Sequence, residues 1–333
     1  MAKNFKIILI IKICGKKMTK YIIKKYDKND YTIWNDFVAQ AKNATFLFHR
    51  DFMEYHQDRF EDFSILVFED EKLKAVLPAN KRGEVVYSHQ GLTYGGLVFS
   101  PKLKAEKVEL IFDAIFSFFK ENSIETFHYK PIPSFYFPRG NKEMDFFLLR
   151  RGALPERKEM NLAINLQLPL HISKSKMKHF RRIENLDLDI VEEQDFQPFW
   201  DLILQPRLLE KFNAKPVHTK EEIALLKQKF PENIRQYSVY QNDEIIAGIT
   251  IFETQNVVKS QYGAISEKGE QVRALDFLFI NLIHKYKRKG KMFFDMGIVN
   301  EENESGYHSG LLKQKEELGC SIYNQDFYKI KIK

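Results

Sequence analysis

Two stretches of the chain alternate apolar and polar residues around a short polar break. "FSILVFEDEKLKAVLPA" (63–79) and "RQYSVYQNDEIIAGITIF" (235–252) each read as strand, acidic or Asn-rich turn, strand, which predicts two β-hairpins. Downstream of each, the period changes from two to about 3.6. In "KVELIFDAIFSFFKEN" (107–122), Val108, Ile111, Ile115, Phe118 and Phe119 form one apolar stripe. In "ALDFLFINLIHKYKRKG" (274–290), Leu275, Leu278, Phe279, Leu282, Ile283 and Tyr286 do the same. Lys287, Arg288 and Lys289 suit the negative end of this second helix, and Gly290 suits the residue just past it. Each helix runs into a further apolar strand, "IETFHYKPIP" (124–133) and "KMFFDMGIV" (291–299).

These elements repeat in the same order. "YDKNDYTIWNDFVAQA" (26–41) lies on "EEQDFQPFWDLILQPR" (192–207), which sets the chain's two tryptophans, Trp34 and Trp200, in matching places. "TYGGLVF" (93–99) lies on "QYGAISE" (261–267), so that a Tyr-Gly strand is expected in each half. The expectation is an α/β fold with mixed sheets, built as two tandem units packed side by side. The units span 19–165 and 186–333, with a basic bridging helix over 166–185 that contains "SKSKMKHFRR". Residues 1–18 read as an N-terminal extension, with Met18 as an alternative start. Their apolar run from Phe5 to Ile13, broken by Lys6 and Lys12, is too short to span a bilayer and lacks a small-residue cleavage site. A basic membrane-surface tether is the other reading of this segment.

Composition narrows the class. The 333 residues are 44% hydrophobic and 29% charged, which excludes a disordered chain. The net charge of +7 suits an anionic partner without naming one. Two cysteines, Cys14 and Cys320, allow neither a zinc site nor a disulfide framework, and they point to a reducing compartment. No metal-ligand spacing occurs among the histidines. His89 and His308 are candidate bases only as isolated residues.

The duplicated order of helix, hairpin, Tyr-Gly strand, helix and strand resembles the GNAT acyltransferase fold as the FemAB-like superfamily uses it in tandem. "QYSVYQNDEIIAGITIF", "SQYGAISEKGEQVRALDFLF", "FFDMGIVNEENESGYHSGLLKQKEELG" and "NQDFYKI" follow that family's order. Its Phe-Lys-x-x-Phe-Gly element corresponds to "QKEELG" (314–319), where Lys315 and Gly319 match and Gln314 and Leu318 replace the aromatics.

The resemblance implies a cytoplasmic N-acyltransferase, at the inner face of the membrane or in solution, with no metal. The implied donor is acyl-CoA, and the implied acceptor is an amine on a cell-envelope sugar or lipid precursor. An aminoacyl-tRNA-dependent peptidoglycan bridge ligase is the alternative. Bridge-forming enzymes often carry a long helical arm, whereas this chain has only "NAKPVHTKEEIALLKQKF" (213–230). A binding module of the same fold with a decayed site is the third reading.

Acyl transfer needs a positioned neutral amine, donors for the oxyanion and a proton for the leaving group. The implied residues are Asp295 as base, Lys315 on the transition-state oxygen and Tyr262 as proton donor. A CoA pyrophosphate would sit at "AISEKGEQVRALDF" (264–277) through Lys268, Gly269 and Arg273, although the family's Gln/Arg-x-x-Gly-x-Gly/Ala pattern is absent. Tyr94, Arg181 and Arg182 are the candidate acceptor-binding residues.

Overall fold

The computed structural model describes residues 6–11, 19–137 and 143–332. Of the expected extension, only the strand Lys6–Ile11 is described, and the alternative start at Met18 lies outside the described residues. The chain forms two compact units. One is Met1–Lys158 with Gln325–Lys333, and the other is Glu159–Asn324.

In the first unit, five strands pair in the order Lys6–Ile11, Thr19–Lys25, Ile65–Glu69, Lys72–Leu77, Val98–Phe99, all antiparallel. A second group pairs the end of Ser321–Lys331 with Thr126–Tyr129, which lies parallel to Val85–Tyr87. The helix Ala105–Glu121 buries Val108, Ile111, Ile115, Phe118 and Phe119 in a core with Ile65, Val67, Leu77 and Phe127. Each such side chain contributes roughly 1.5–3 kcal/mol by leaving water.

In the second unit the order is Asp189–Glu193, Ile234–Gln241, Glu244–Glu253, Val257–Ile265, Phe293–Ile298, and then the 161–165 part of Leu154–Asn165. Only the contact between Val257–Ile265 and Phe293–Ile298 is parallel. The helix Ala274–Arg288 covers one face through Leu278, Phe279, Leu282, Ile283 and Tyr286, and Gly290 follows it at φ +75°. The helical stretch around Trp200 lies against the 244–253 strand, where Gly248 leaves room for the Phe199 ring.

The two hairpins are one device built twice. Their turns are Asp70–Glu71 (φ +46° and +67°) and Asn242–Asp243 (φ +50° and +62°), each with both residues left-handed. Such two-residue turns match the natural twist of the flanking strands. Each hairpin also shifts register just before its turn, at Val67/Phe68 and at Val239/Tyr240. Trp34 and Trp200 are both fully buried.

The Tyr-Gly match fails in the first unit. Tyr262–Gly263 lies within the 257–265 strand, but Tyr94–Gly95 lies in no strand. The counterpart strand is split into Val85–Tyr87 and Val98–Phe99, with residues 88–97 looping between them. Gly95 makes this possible. A Cβ there would come within 1.4 Å of the Ser88 carbonyl oxygen, so only glycine lets the loop press onto the strand end.

That loop also holds His89 at φ +120° with only 4% of its surface exposed. Burial pushes its imidazole down to about 3, and the neighbouring His56 ring adds to the effect, against the opposing pull of Asp62. In the unfolded chain it takes a proton near pH 6.5, so stability falls as pH drops from about 6.5 toward 3. At pH 5 the loss from this residue is roughly 2 kcal/mol relative to neutral pH. Urea unfolding midpoints at pH 7.5 and pH 5 should therefore differ less in His89→Asn than in the parent. An undiminished difference would contradict the buried neutral imidazole.

Candidate functional site

The parallel strands of the second unit pair over three rungs and then separate. The rungs are Val257–Phe293, Val258–Phe294 and Lys259–Asp295. Side chains alternate faces along a strand, so Val258, Phe294 and Met296 join the core beneath the long helix while Lys259 and Asp295 point to the other face. At the last rung, the Lys259 ammonium lies 3.4 Å from Asp295 Oδ2. Asp295 is 1% exposed, and its Oδ1 accepts from the backbone N–H of Gly297 at 2.8 Å. Gly297 takes φ +74°, which bends the strand away, and a Cβ there would sit 3.3 Å from Lys259 Nζ.

Lys315 reaches the same bend from the helix Ser309–Glu317. Its Nζ donates to the carbonyls of Gly297 (3.1 Å) and Ile298 (2.9 Å). An ammonium has three N–H donors, so one is left over. Lys315 is 5% exposed, and burial followed by the like charge of Lys259 pushes it down to about 8. Lys259 is thus paired with the buried carboxylate, and Lys315 lies beside them on backbone carbonyls, so two cations stand near one carboxylate. Cys320 is also buried here, and desolvation raises its thiol well above the ordinary range, so it stays protonated.

The first unit has the same three parallel rungs, Val85–Thr126, Val86–Phe127 and Tyr87–His128. Its last rung is a ring pair: Tyr87 and His128 stack with centroids 4.8 Å apart. Beyond it the strands are bridged rather than open. Ser88 Oγ accepts from Lys130 N at 2.8 Å, and Gly95 N donates to Lys130 O at 2.8 Å. This unit holds the larger cavity, about 650 Å³ against about 380 Å³ in the second. Two of its polar groups are already engaged, however. His128 faces Glu156 at 2.7 Å, and the Lys130 ammonium donates to the Leu92 carbonyl. The excess buried charge, not the cavity size, marks the second unit as the candidate site.

The remaining sequence-predicted residues are dispersed. The Tyr262 hydroxyl meets His218 Nδ1 at 2.6 Å and its ring packs on Trp200; burial raises it to about 12. Among the described residues no bond joins it to Asp295 or Lys315. Tyr94, in the first unit, is 2% exposed and donates to Thr45 Oγ1 at 3.0 Å. Arg181 and Arg182 lie exposed on the helix Lys174–Ile183, where Arg182 meets His179 at 3.2 Å. His308 caps the helix that carries Lys315, its Nδ1 accepting from Leu311 N.

No protein-family profile matches the sequence, and no curated protein matches it. Solved structures do match in shape. FemX is 11% identical, the match covers 90% of this chain and 95% of that one, and the TM-score is 0.66. The C-terminal domain of a putative lysylphosphatidylglycerol synthetase from Agrobacterium fabrum is 11% identical over 90% of this chain and 91% of that one, with a TM-score of 0.56. A tandem GNAT protein from the clavulanic acid biosynthesis pathway is 10% identical over 95% and 99%, with a TM-score of 0.51. The chain has the FemAB-like, tandem GNAT fold.

In a GNAT fold the loop between the split strand and the long helix is where a CoA pyrophosphate is expected, so the residues present can be tested against it. Here the strand passes into the short helix Glu267–Val272. Ser266 Oγ already accepts from Gly269 N at 3.1 Å. Gly269 is small because its Cβ would meet the Ile246 carbonyl oxygen at 2.3 Å, a packing requirement of the adjacent strand. Glu267 and Glu270 occupy the first turn, where an anion would otherwise be favoured, and Lys268 is paired with Glu244 at 2.5 Å. This loop does not fit a pyrophosphate cradle. Of the three expected residues, Arg273 alone lines the second unit's cavity.

Sequence reasoning missed Lys259, Arg207 and Lys211. Lys259 left a signal, as a lysine set into the apolar strand "VVKSQYGAI". Removing its like charge should raise the Lys315 titration. In lysine-selective NMR, Lys315 should titrate near pH 8 in the parent and higher in Lys259→Met. An unchanged midpoint in that variant would contradict the closeness of the two ammonium groups.

Proposed function

We propose that the second unit transfers an acyl or aminoacyl group from an activated donor to an amine. The observation that carries this reading is the excess positive charge at the opened strands, where Lys259 and Lys315 flank the single carboxylate of Asp295. Attack of an amine on an acyl carbonyl forms a C–N bond and moves the carbonyl electron pair onto oxygen. Collapse of that oxyanion then breaks the bond to the leaving group. The spare N–H of Lys315 is suited to the oxyanion, and the Asp295 carboxylate to the proton that the amine gives up. The tetrahedral oxyanion cancels the charge left over by the two lysines, so the site favours the transition state over a neutral substrate.

The acceptor in this reading is an amine of a cell-envelope sugar or lipid precursor, and the likeness in fold to a lysylphosphatidylglycerol synthetase domain supports that class. Acyl-CoA is the first donor to test. The filled loop at Ser266–Glu270 favours a second reading, in which the donor is an aminoacyl-tRNA. Among the described residues no helix is long and apolar enough to cross a membrane, and no cluster of His, Cys, Asp or Glu could hold a metal ion.

The test is a transfer assay with the full chain, scoring thiol release from acyl-CoAs and amide formation from charged tRNA on amino-sugar and aminolipid acceptors. One donor class should turn over, with a rate that falls as pH rises through about 8, because the ammonium form of Lys315 is required. Lys315→Ala should lose about 10²–10³-fold in rate. Turnover with neither donor class would overturn the reading. Full activity in Lys315→Ala would remove its assigned role.

A further inference from the structure

The second unit's cavity of about 380 Å³ lies between the end of the 257–265 strand, the start of the long helix and the helix Gln205–Phe212. Its charged lining is unusual. Glu270 is held by two cations from Gln205–Phe212: the Arg207 guanidinium contacts its Oε1, and Lys211 Nζ lies 2.7 Å from the same oxygen. Glu270 is nonetheless 44% exposed at its side chain, and Lys211 first, then Arg207, holds it below the usual carboxylate range. An exposed carboxylate does not need two cations for its own solvation.

Two further observations show that these cations are not used up by Glu270. Arg207 also pairs with Glu210 at 2.8 Å, yet its Nε is buried with no acceptor among the described residues. An unsatisfied guanidinium N–H is costly, and it marks the place where an acceptor belongs. Arg273 joins the two helices at φ +55°, a left-handed conformation that glycine or asparagine adopts with less strain. Its side chain is exposed, lines the cavity and makes no hydrogen bond or ion pair among the described residues. The remaining acid in the lining, Asp276, pairs with Lys176 through Oδ2 at 2.5 Å, and its Oδ1 is buried without a donor among the described residues.

We propose that Arg207, Lys211 and Arg273 bind a phosphate of the acyl carrier, and that the Glu270 carboxylate is the group this phosphate displaces. This rests on the acyl-transfer reading and deepens it by assigning where the donor's phosphate is held. Side-chain cations thereby take the role that the filled backbone loop cannot. A phosphate offers more acceptor oxygens than a carboxylate, enough to engage Arg207, Lys211 and Arg273 together. Glu270 keeps the cations fixed and selects against weak anions, because an entering group must outcompete it.

The probe is inorganic pyrophosphate, titrated by calorimetry into the full chain at low salt. Glu270→Gln should tighten binding about tenfold, and Glu270→Gln combined with Lys211→Gln should lose that gain. Lys211 is 45% exposed at its side chain, so its replacement spares the fold, and a thermal melt checks this. The same binding in the parent, Glu270→Gln and the double variant would overturn the proposal. CoA and a short acceptor-stem RNA, titrated in parallel, distinguish the two carriers by which one shows the same ranking. Pyrophosphate binding that follows the expected ranking without turnover of any donor would leave the anion site standing and sink the acyl-transfer reading. Turnover with a donor KM indifferent to Lys211→Gln and Glu270→Gln would do the reverse.

Discussion

The second unit turns on one buried carboxylate. Asp295 sits at the last parallel rung with almost no contact with water, and a buried charge of this kind costs several kcal/mol unless it is paired. Neighbouring groups meet that cost. Lys259 pairs with it across the ladder, Gly297 N donates to it along the chain, and Lys315 lies near enough to be drawn to it. The bend at Gly297 follows from this arrangement. Its left-handed backbone lies just past the last rung, and the carbonyls of Gly297 and Ile298 face Lys315. Strand separation, the position of Lys315 and the surplus charge are one linked set, so changing any member disturbs the others.

The duplicated ladder supplies an internal comparison. Both units carry three parallel rungs, and the third rung differs in kind. The Lys259–Asp295 pair is neutral by itself, and the buried Lys315 beside it adds a second cation. A Tyr–His stack is satisfied by its own contact and by Glu156. The first unit then bridges its strands through Ser88 and Gly95, which removes the opening that the second unit retains. The same ladder is thus built twice, with a buried ion pair at the last rung of one copy and a ring stack at the last rung of the other.

Much of the fold was legible in the sequence because local rules dominated there. The two hairpins were written in alternating residues around Asp-Glu and Asn-Asp turns, and the helix Ala274–Arg288 was written in its apolar stripe and closing Gly290. Lys315 was a candidate through family resemblance, and the fold places it at the Gly297 bend. Lys259 was not, because a lysine in a strand ordinarily reads as an edge or solvent-facing residue, and only the partner strand 36 positions away gives it a carboxylate. Arg207 and Lys211 were missed because only the fold brings Glu270 to them. The Tyr94 match misled because Tyr-Gly in the first unit lies in a loop, where the hydroxyl meets Thr45 within the core.

The most direct measurement compares acyl-transfer rates in two variants at corresponding third-rung positions, Asp295→Asn and His128→Gln, each with an unchanged thermal melt. The account predicts a loss of about a hundredfold or more for Asp295→Asn, the scale of a lost general base. It predicts a rate within about threefold of the parent for His128→Gln, since a residue outside the chemistry carries little of the barrier. A large loss in His128→Gln with Asp295→Asn unaffected would place the chemistry in the first unit and contradict the account.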